Sequence, residues 1–360
     1  MKTIWNYAAY LPAIPEAHRV FLGEGQTPLV KSKYIGKQLG LEALYFKTEN
    51  LNPTGSYKDR FAAVLVSQMQ AAGQKVCIAT SSGNTGAALA AYCAAAGIVC
   101  IVVVVDGAPL PKIKQMQLYG AEILMVKDFG KSASVTEQVF AELAIICQKS
   151  DLPLPISAFR YCPAAMQGVQ TLVYEIAEQL PAAPTHIFSP AGGGGLTLAI
   201  TRGVLSAGLA TRVHCVQPEG NDTIASALRQ GRDKATPVGY STTLVSGLQV
   251  ANVIDGDQVI ENCRQLGGNG YTVSDAEVFE WHRQLAQTEG VFGEPAGAVA
   301  LAGVVKALRL GEIAPTDVVV CPVTGSGFKD MSAVERNFGL PAISTMGVAD
   351  CVAAIQQHFE

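Results

Sequence analysis

The chain has 360 residues, of which 49% are hydrophobic and only 16% are charged, and its formal net charge is −4. This length suggests two domains or one large α/β unit, and the charge balance leaves no basic face for nucleic acid. The expected partner is therefore a small, roughly neutral metabolite. The longest apolar run, residues 98–105, is too short to span a membrane, and residues 1–20 lack the pattern of a signal peptide, so we expect a cytosolic protein.

The chain contains nine cysteines, an odd number, and none of them forms a CxxC pair. This distribution argues against a disulfide framework and against a zinc site. Several of the cysteines fall in apolar, strand-like runs, where they are expected to act as small core residues. The five histidines are scattered, so no metal centre is predicted.

From residue 43 onward, short β-branched runs alternate with longer alanine-rich segments, which is typical of βαβ units and a parallel sheet. The predicted strands are residues 43–47, 75–79, 98–105, 122–126, 185–189, 212–217 and 317–323. The predicted helices are residues 61–71, 85–96, 112–119, 134–148, 163–179 and 196–206. A proline-rich stretch at 152–155 predicts a crossing between two domains. The final segment, 347–359, is predicted to be an amphipathic helix that packs on the body of the protein.

Residues 52–60, NPTGSYKDR, place a lysine at the start of a helix directly after a predicted strand. Asn52-Pro53 favours a turn, Gly55 permits a tight bend, and the apolar run that follows predicts a buried helix. At a helix N-terminus, desolvation and the helix dipole would both favour the neutral, nucleophilic form of Lys58. The alternative is a solvated lysine in a charged first turn.

A second loop, residues 79–86 with the sequence ATSSGNTG, also follows a strand and opens an alanine-rich helix. It gathers hydroxyls, an amide and free backbone N–H groups at a helix N-terminus, which predicts an anion cradle suited to a carboxylate. The alternative is an ordinary helix cap made by Ser82 or Thr85.

Four consecutive glycines, residues 192–195, follow a third strand and precede a helix. Their backbone N–H groups can approach a phosphate without obstruction by Cβ atoms, so we predict a phosphate site. The segment does not match the dinucleotide fingerprint, because Thr197 stands where a glycine is needed, and it lacks the lysine of a P-loop. Residues 130–132 resemble the end of a P-loop, but Met125 replaces its first glycine, which argues against nucleotide hydrolysis.

Residues 321–327, CPVTGSG, end another strand with hydroxyls between glycines, so one side chain can reach a ligand at the carboxyl edge of the sheet. Ser326 and Lys329 match an SxxK pattern, but the companion motifs of the serine β-lactam enzymes are missing, and we interpret the match as accidental.

In this order and spacing, these segments resemble the fold-type II pyridoxal-phosphate enzymes, and most closely the threonine synthase family. Residues 22–29, LGEGQTPL, are similar to the opening segment of that family, and the resemblance extends over most of the chain. It implies an α/β fold similar to the tryptophan synthase β subunit, with two doubly wound domains, mostly parallel sheets and the cofactor in the cleft between them. The expected large domain comprises residues 1–54 and 156–360. The smaller, mobile domain would comprise residues 55–155 and carry Lys58 and the SSGNTG segment.

The resemblance also implies roles for individual residues. Lys58 would form the Schiff base with pyridoxal 5′-phosphate, Asn84 would bind its 3-oxygen, and Thr324 would face its pyridine nitrogen. The phosphate of the cofactor would be held by Gly192, Gly193, Gly194 and Gly195. The carboxylate of the amino-acid substrate would be held by Ser81, Ser82 and Thr85. No metal is implied, and a homodimer is expected.

A hydroxyl at Thr324 cannot enforce protonation of the ring nitrogen as an aspartate would, so electron withdrawal by the ring is moderate. Such a site suits elimination and replacement at the β or γ carbon, with Lys58 moving protons. The resemblance implies a carbon–oxygen lyase that converts O-phosphohomoserine and water into threonine and phosphate.

Three departures from the family pattern leave other substrates open. Ser326 stands where the family often has histidine, Gly168-Val169 replaces a glycine–glutamine pair, and the tetraglycine loop with the EPAGA segment at 294–298 resembles serine and threonine dehydratases. A related enzyme that performs β-elimination or β-replacement, such as a dehydratase or a cysteate or cysteine synthase, is the alternative. A catalytically silent amino-acid sensor is the non-enzyme alternative, although such a protein would not need Lys58.

The phosphate of such a substrate would need a cationic partner. The sequence offers Arg160, Lys112 and Lys114, without a decisive motif. We select Arg160 as the substrate contact, because it follows a strand-like segment near the predicted domain crossing.

Overall fold

The structure, a computed structural model, describes residues 3–81, 83–106, 108, 110–129, 132–339 and 342–359. Its strands are β1 (Leu29–Lys31), β2 (Ala43–Lys47), β3 (Val76–Thr80), β4 (Val99–Val104), β5 (Glu122–Met125), β6 (His186–Pro190), β7 (Arg212–Pro218), β8 (Gly270–Val273) and β9 (Val318–Pro322). Its α-helices are α1 (Ile35–Leu39), α2 (Lys58–Ala71), α3 (Asn84–Ala96), α4 (Leu110–Leu118), α5 (Ala133–Lys149), α6 (Pro163–Gln179), α7 (Gly195–Ser206), α8 (Ala225–Arg229), α9 (Gly256–Gln265), α10 (Asp275–Glu289), α11 (Val299–Arg309), α12 (Met331–Phe338) and α13 (Val348–Gln356).

The strands form two sheets. One has six strands in the order β1-β2-β9-β6-β7-β8, and the other has three strands in the order β3-β4-β5. All pairs are parallel except β1 with β2. The α/β fold with mostly parallel sheets is therefore confirmed. The small sheet lies wholly within residues 55–155, although the domain boundaries themselves stay a prediction.

All seven predicted strands and all six predicted helices are present, with ends that differ by a few residues. The sequence analysis missed β1, β8 and several helices, including α10 and α11. The β8 strand has four residues and begins at Gly270, a residue type that normally weakens a strand. Here glycine is required, because an added Cβ would overlap the backbone carbonyl of Ala225.

Helix α2 connects the two sheets, since it packs against both α3 and α6. The crossing with α6 is close at Gly168, where an added Cβ would overlap the carbonyl oxygen of Arg60. Most of α2 is buried, including Asp59 and Arg60 in its first turn. The first turn of this helix is thus fixed in the interior, and the alternative of a solvated charged turn is wrong for these two residues.

The C-terminal segment corrects one expectation. It forms the predicted helix, α13, but none of the residues in that helix is buried. Its apolar side chains Val348, Val352 and Ile355 remain exposed. The prediction that this helix packs on the body of the protein is therefore wrong. Within the described ranges, no helix combines the length and apolar character needed to cross a membrane.

Candidate functional site

A cavity of about 440 Å³ lies where the carboxyl ends of β3, β6 and β9 meet. Parallel strands bring their carboxyl ends to one edge of each sheet, which is the usual place for ligand sites in open α/β folds, and these edges of both sheets face the cavity. The predicted site residues that line this cavity are Lys58, Ser81, Asn84, Thr85, Gly192, Gly193, Gly194, Gly195 and Thr324. Arg160 is not part of the lining. Ser82 lies outside the described residues.

Lys58 is the first residue of α2, and its amine lies in a short polar chain. Its Nζ donates a hydrogen bond to Ser157 Oγ over 2.5 Å, and Ser157 Oγ lies 3.0 Å from Thr85 Oγ1. The amine also lies 4.6 Å from the centre of the Tyr57 ring, a favourable position for a cation. Ser157, which sequence reasoning missed, therefore connects the lysine to the N-terminus of α3.

A buried network of charges holds the first turn of α2 in place. Arg60 Nη2 lies 2.8 Å from Glu49 Oε1, and Arg60 Nη1 lies 2.6 Å from Glu175 Oε1. Lys47 Nζ lies 2.7 Å from the other oxygen of Glu175. All four side chains are fully buried. Burial disfavours the charge on Glu175, but Arg60 and Lys47 outweigh it and lower its pKa to about 2. The network anchors the helical turn that begins with Lys58.

Asp59, between Lys58 and this network, folds back onto the preceding turn. It accepts hydrogen bonds from the Thr54 N–H over 2.7 Å and from the Thr54 hydroxyl over 2.5 Å. Burial nevertheless raises its pKa to about 7. The NPTG turn and the first turn of α2 thus form one locked unit.

The turn between β3 and α3 forms one wall of the cavity. In its described part, Gly83 occupies the N-cap position and no side chain caps the helix. The Thr85 hydroxyl bonds to Ser157 instead, so the alternative of a Thr85 cap is wrong. The first N–H groups of α3 are consequently available to an anion. Gly86 keeps the turn tight, because an added Cβ would overlap the Ser81 carbonyl.

The glycine loop forms the opposite wall and ends in the N-terminus of α7. Gly194 is the N-cap of that helix and has a φ of +97°, which favours glycine. An added Cβ on Gly192 would come within 3.1 Å of the Val250 side chain, and one on Gly193 would come within 3.1 Å of the Ile254 side chain. The loop therefore presents backbone N–H groups in a narrow space, as an anion site requires.

Between these walls, three buried polar atoms have no hydrogen-bond partner among the described residues: Asn84 Oδ1, Thr324 Oγ1 and Glu294 Oε2. The other oxygen of Glu294 accepts from Asn84 Nδ2 over 2.9 Å. Burial raises the pKa of Glu294, although Lys112 and Lys329 oppose this rise. Unsatisfied buried polar atoms are unfavourable, so the cavity is built for a polar ligand. Glu294 was visible in the EPAGA segment, but the sequence analysis assigned it no contact.

Lys112 on α4 lines the cavity, whereas Lys329, in a short 3-10 helix after β9, is not part of the lining. Lys112 Nζ donates to Ser246 Oγ over 2.8 Å, and both residues line the cavity. Lys329 Nζ instead donates to Gln115 Oε1 over 2.9 Å, and burial lowers its pKa. The amine of Lys329 is hydrogen-bonded to Gln115. This contact agrees with our interpretation that the SxxK match of Ser326 and Lys329 is accidental.

Arg160 and Lys114 lie elsewhere. The backbone N–H of Arg160 donates to Asp255 Oδ1 over 3.0 Å, and its side chain is exposed, with the guanidinium 5.9 Å from the Tyr161 ring. Lys114 is also exposed. Of the three cations that the sequence offered for a substrate phosphate, the cavity lining contains Lys112.

Comparison with known proteins identifies the family of this chain and its cofactor. The profile of the family described as "Pyridoxal-phosphate dependent enzyme" matches residues 20–325. The chain belongs to this family. Its cofactor is pyridoxal phosphate, and the expectation drawn from the four loops is confirmed.

Curated relatives place the chain in the threonine synthase group of pyridoxal-phosphate enzymes. It is 34% identical to threonine synthase from Bacillus sp. (strain ULM1), over 99% of this chain and 97% of the relative. It is 33% identical to threonine synthase from Methanocaldococcus jannaschii, over 92% of this chain and 82% of the relative. The threonine synthase of Mycobacterium leprae is 31% identical and is matched over 94% of its length.

Solved structures of other enzymes share the fold. Threonine deaminase isoform 2 from Solanum lycopersicum superposes with a TM-score of 0.76 at 22% identity, covering 94% of both chains. Diaminopropionate ammonia lyase from Escherichia coli gives a TM-score of 0.77 at 17% identity, covering 93% of this chain and 92% of the other. At these identities the likeness shows the fold alone, and it confirms the fold-type II architecture.

The residues of the cavity fit the cofactor. Pyridoxal phosphate carries an aldehyde, a phosphate, a ring oxygen and a ring nitrogen. The cavity offers a lysine amine, a glycine loop at a helix N-terminus, and the unpartnered polar atoms of Asn84 and Thr324. Each group of the cofactor therefore finds a chemically suitable counterpart.

Proposed function

We propose that this protein converts O-phosphohomoserine and water into threonine and phosphate, with Lys58 as the catalytic residue. The proposal depends chiefly on one observation: the amine of Lys58 faces a cavity with one further lysine, Lys112, whose Nζ bonds only to a serine hydroxyl in the described part of the chain. The threonine synthases that resemble this chain over nearly its full length support the choice of reaction.

In this proposal, Lys58 holds the cofactor covalently through Nζ, and Gly192, Gly193, Gly194 and Gly195 bind its phosphate. Asn84 binds the 3-oxygen, with its amide oriented by Glu294, and the Thr324 hydroxyl faces the ring nitrogen. When bound, the cofactor withdraws electrons from the α carbon of an amino acid. Since Thr324 is neutral, this withdrawal is moderate, and departure of a good leaving group must complete it.

Ser157 and Thr85 give Lys58 a route for protons. The lysine amine contacts the Ser157 hydroxyl, which contacts the Thr85 hydroxyl at the end of α3. Once the amino group of the substrate has replaced it on the cofactor, the free amine of Lys58 would remove and return protons at the substrate carbons, and the two hydroxyls would keep this amine oriented between these steps. The substrate carboxylate binds at the N-terminus of α3, where Ser81 and Thr85 add hydroxyl groups to free backbone N–H groups.

The leaving phosphate is assigned to Lys112 and not to Arg160. Lys112 is 6% exposed, lines the cavity and is bonded to a neutral hydroxyl, Ser246, which a phosphate oxygen can replace. Hydrogen bonds between charged groups are stronger than those to neutral groups, so this exchange is favourable.

The first experiment measures products. Protein reconstituted with pyridoxal phosphate and given O-phosphohomoserine should release threonine and phosphate in equal amounts. Reduction with borohydride followed by peptide mapping should find the cofactor on Lys58. An oxoacid with ammonia, or a β-substituted alanine, formed from serine, threonine or an activated serine would instead support the β-elimination or β-replacement alternative. Tight amino-acid binding without turnover would support a sensor.

A matched pair of variants tests the phosphate contact. Lys112→Ala should raise KM for O-phosphohomoserine by about tenfold or more, because a charged hydrogen bond contributes about 1.5–3 kcal/mol. Lys114→Ala removes an exposed lysine two residues further along α4 and should leave KM unchanged. Equal KM values for the two variants would contradict the assignment. We also expect a homodimer, which sedimentation equilibrium can test.

A further inference from the structure

Three buried cysteines meet between the small sheet and α3, and none of them lines the cavity. Cys77 on β3 and Cys100 on β4 are paired residues of neighbouring parallel strands, and Cys93 projects from α3. Their sulfur atoms all lie within 4.8 Å of one another. The three side chains are between 0% and 4% exposed, and we refer to them as the thiol triad. Nothing in the proposed reaction uses them.

The composition of the thiol triad limits what it can bind. Among the described residues, no histidine or carboxylate joins the group, so every ligand atom is sulfur. Sulfur ligands select soft, thiophilic centres and not magnesium, calcium or manganese. A structural zinc ion takes four ligands, whereas the described residues supply three at this place. The site therefore suits a soft centre that is satisfied by three sulfur atoms.

The surroundings restrict the charge of the complex. All three cysteines belong to the hydrophobic core cluster that includes Ala79, Leu89 and Val102. An uncompensated charge in such a place costs several kcal/mol, even after the protein relaxes. Three thiolates around a monovalent or divalent ion would leave a net negative charge. Three thiolates around a trivalent centre leave none.

We propose that the thiol triad is a binding site for trivalent arsenic. Arsenite, As(OH)3, would exchange its three hydroxyl groups for the three thiols, forming three As–S bonds and releasing three water molecules, with no change in oxidation state. Bonds of about 2.3 Å from a central atom to sulfur keep three sulfur atoms within about 4 Å of each other. The observed separations of at most 4.8 Å therefore need only a small contraction.

Binding at this site would join β3, β4 and α3. The same strand and helix lead directly into the turn that carries Ser81 and Asn84, so an occupied triad would fix the wall of the cofactor cavity from behind. A ligand that binds the folded state and not the unfolded state raises stability in proportion to the logarithm of its concentration. The occupied protein should therefore unfold at a higher temperature.

The test uses the reduced holoenzyme incubated with sodium arsenite, without free thiol, in the presence of sub-denaturing urea that permits local opening. Native mass spectrometry should show one arsenic atom gained and three hydrogen atoms lost per chain. Thiol titration after denaturation should find three fewer reactive groups, and the melting temperature should rise with arsenite concentration.

Matched variants locate the site. Cys93→Ala is compatible with the alanine-rich α3 and should weaken arsenite binding by tenfold or more, with the melting shift lost. Cys321→Ala removes another buried cysteine, and Cys351→Ser removes the exposed one; both should bind arsenite as the parent does. Absence of bound arsenic in the parent protein, or equal binding by Cys93→Ala, would overturn the proposal. If Cys93→Ala does not fold, peptide mapping of the arsenic-protected thiols must find Cys77, Cys93 and Cys100, and any other set overturns it.

Discussion

Replacement of Arg60 by methionine should destabilise the protein far more than the same change at a surface arginine. Arg60 is fully buried and makes hydrogen bonds of 2.6–2.9 Å to Glu49, Glu175 and Thr171. Methionine fills much of the same volume but leaves two buried carboxylates with Lys47 as their remaining cation. The substitution therefore measures mainly the effect of the lost charge on stability, because most of the packing volume is kept.

The expected magnitude follows from the balance of charge. With Arg60 present, two positive and two negative groups neutralise one another; without it, the network carries one uncompensated negative charge. Breaking a buried ion pair in this way costs about 3–5 kcal/mol. This is a large fraction of the ordinary stability of about 5–15 kcal/mol. Because Lys58 lies two residues earlier on the same helical turn, cofactor affinity should fall as well.

Urea unfolding of the apoenzyme, followed by far-UV circular dichroism, measures the change. Arg264→Met is the matched control, because Arg264 and its partner Asp233 are 43% and 83% exposed and such pairs contribute at most about 1 kcal/mol. The double variant Arg60→Met with Glu175→Gln should recover part of the loss, since it removes the unpaired charge. A loss of less than about 1 kcal/mol for Arg60→Met alone would refute the reasoning.

Three further changes test other parts of the site and fold. Gly168→Ala should destabilise by about 1–3 kcal/mol in the same urea assay, because the new Cβ would overlap a backbone oxygen of α2; an unchanged midpoint would show that the two helices can separate freely. Burial and the neighbouring His186 lower the pKa of His214 to about 3. Below about pH 6.5, His214 therefore binds a proton in the unfolded chain but stays neutral in the folded protein. Stability should fall by about 1.4 kcal/mol per pH unit in that window, and His214→Gln should show a correspondingly shallower pH dependence of the urea midpoint. Glu294→Leu removes the acceptor of Asn84 Nδ2 and should weaken pyridoxal-phosphate binding about tenfold, whereas Glu294→Gln keeps an acceptor oxygen; equal affinities, measured by absorbance titration, would argue against this role.

The sequence located the loops of the site because each is a local feature. A turn such as NPTGSYKDR, or a run of four glycines, predicts a helix N-terminus, and this prediction needs only residues that are adjacent in the sequence. Within one sheet, parallel strands bring such loops to the same edge, so loops that follow strands of the same sheet are expected to share a ligand. Lys58 and Thr324 follow strands of the six-stranded sheet and reach the cavity for this reason, whereas Asn84 follows β3 of the other sheet and reaches it because the two sheets pack together.

Other contacts depended on packing between distant segments. Ser157 is 99 residues from Lys58, and Glu294 is 210 residues from Asn84, yet each pair is hydrogen-bonded. No local pattern marks such partners. Tertiary structure also decides which cation lines the cavity, because the orientation of α4 buries Lys112 and leaves Lys114 exposed. The selection of Arg160 depended on its position in the sequence, which says nothing about where its side chain lies.

The cysteines and the last helix show the same limit. The absence of a CxxC pair argued against a metal site, but β-sheet register and the packing of α3 bring Cys77, Cys93 and Cys100 together. The apolar stripe of α13 predicted a helix correctly, because helix formation follows local periodicity, but it could not say whether anything covers that stripe.

The sequence by itself determined the fold class and located Lys58 in one of the loops that line the cavity, since strand and helix periodicity and turn chemistry are properties of short segments. Its resemblance to a known family identified the cofactor. The tertiary structure decided which polar groups support that lysine, which cation reaches the cavity and which thiols meet in the core. These depend on side chains that are far apart in the chain and come within hydrogen-bonding distance only when the helices pack on the two sheets.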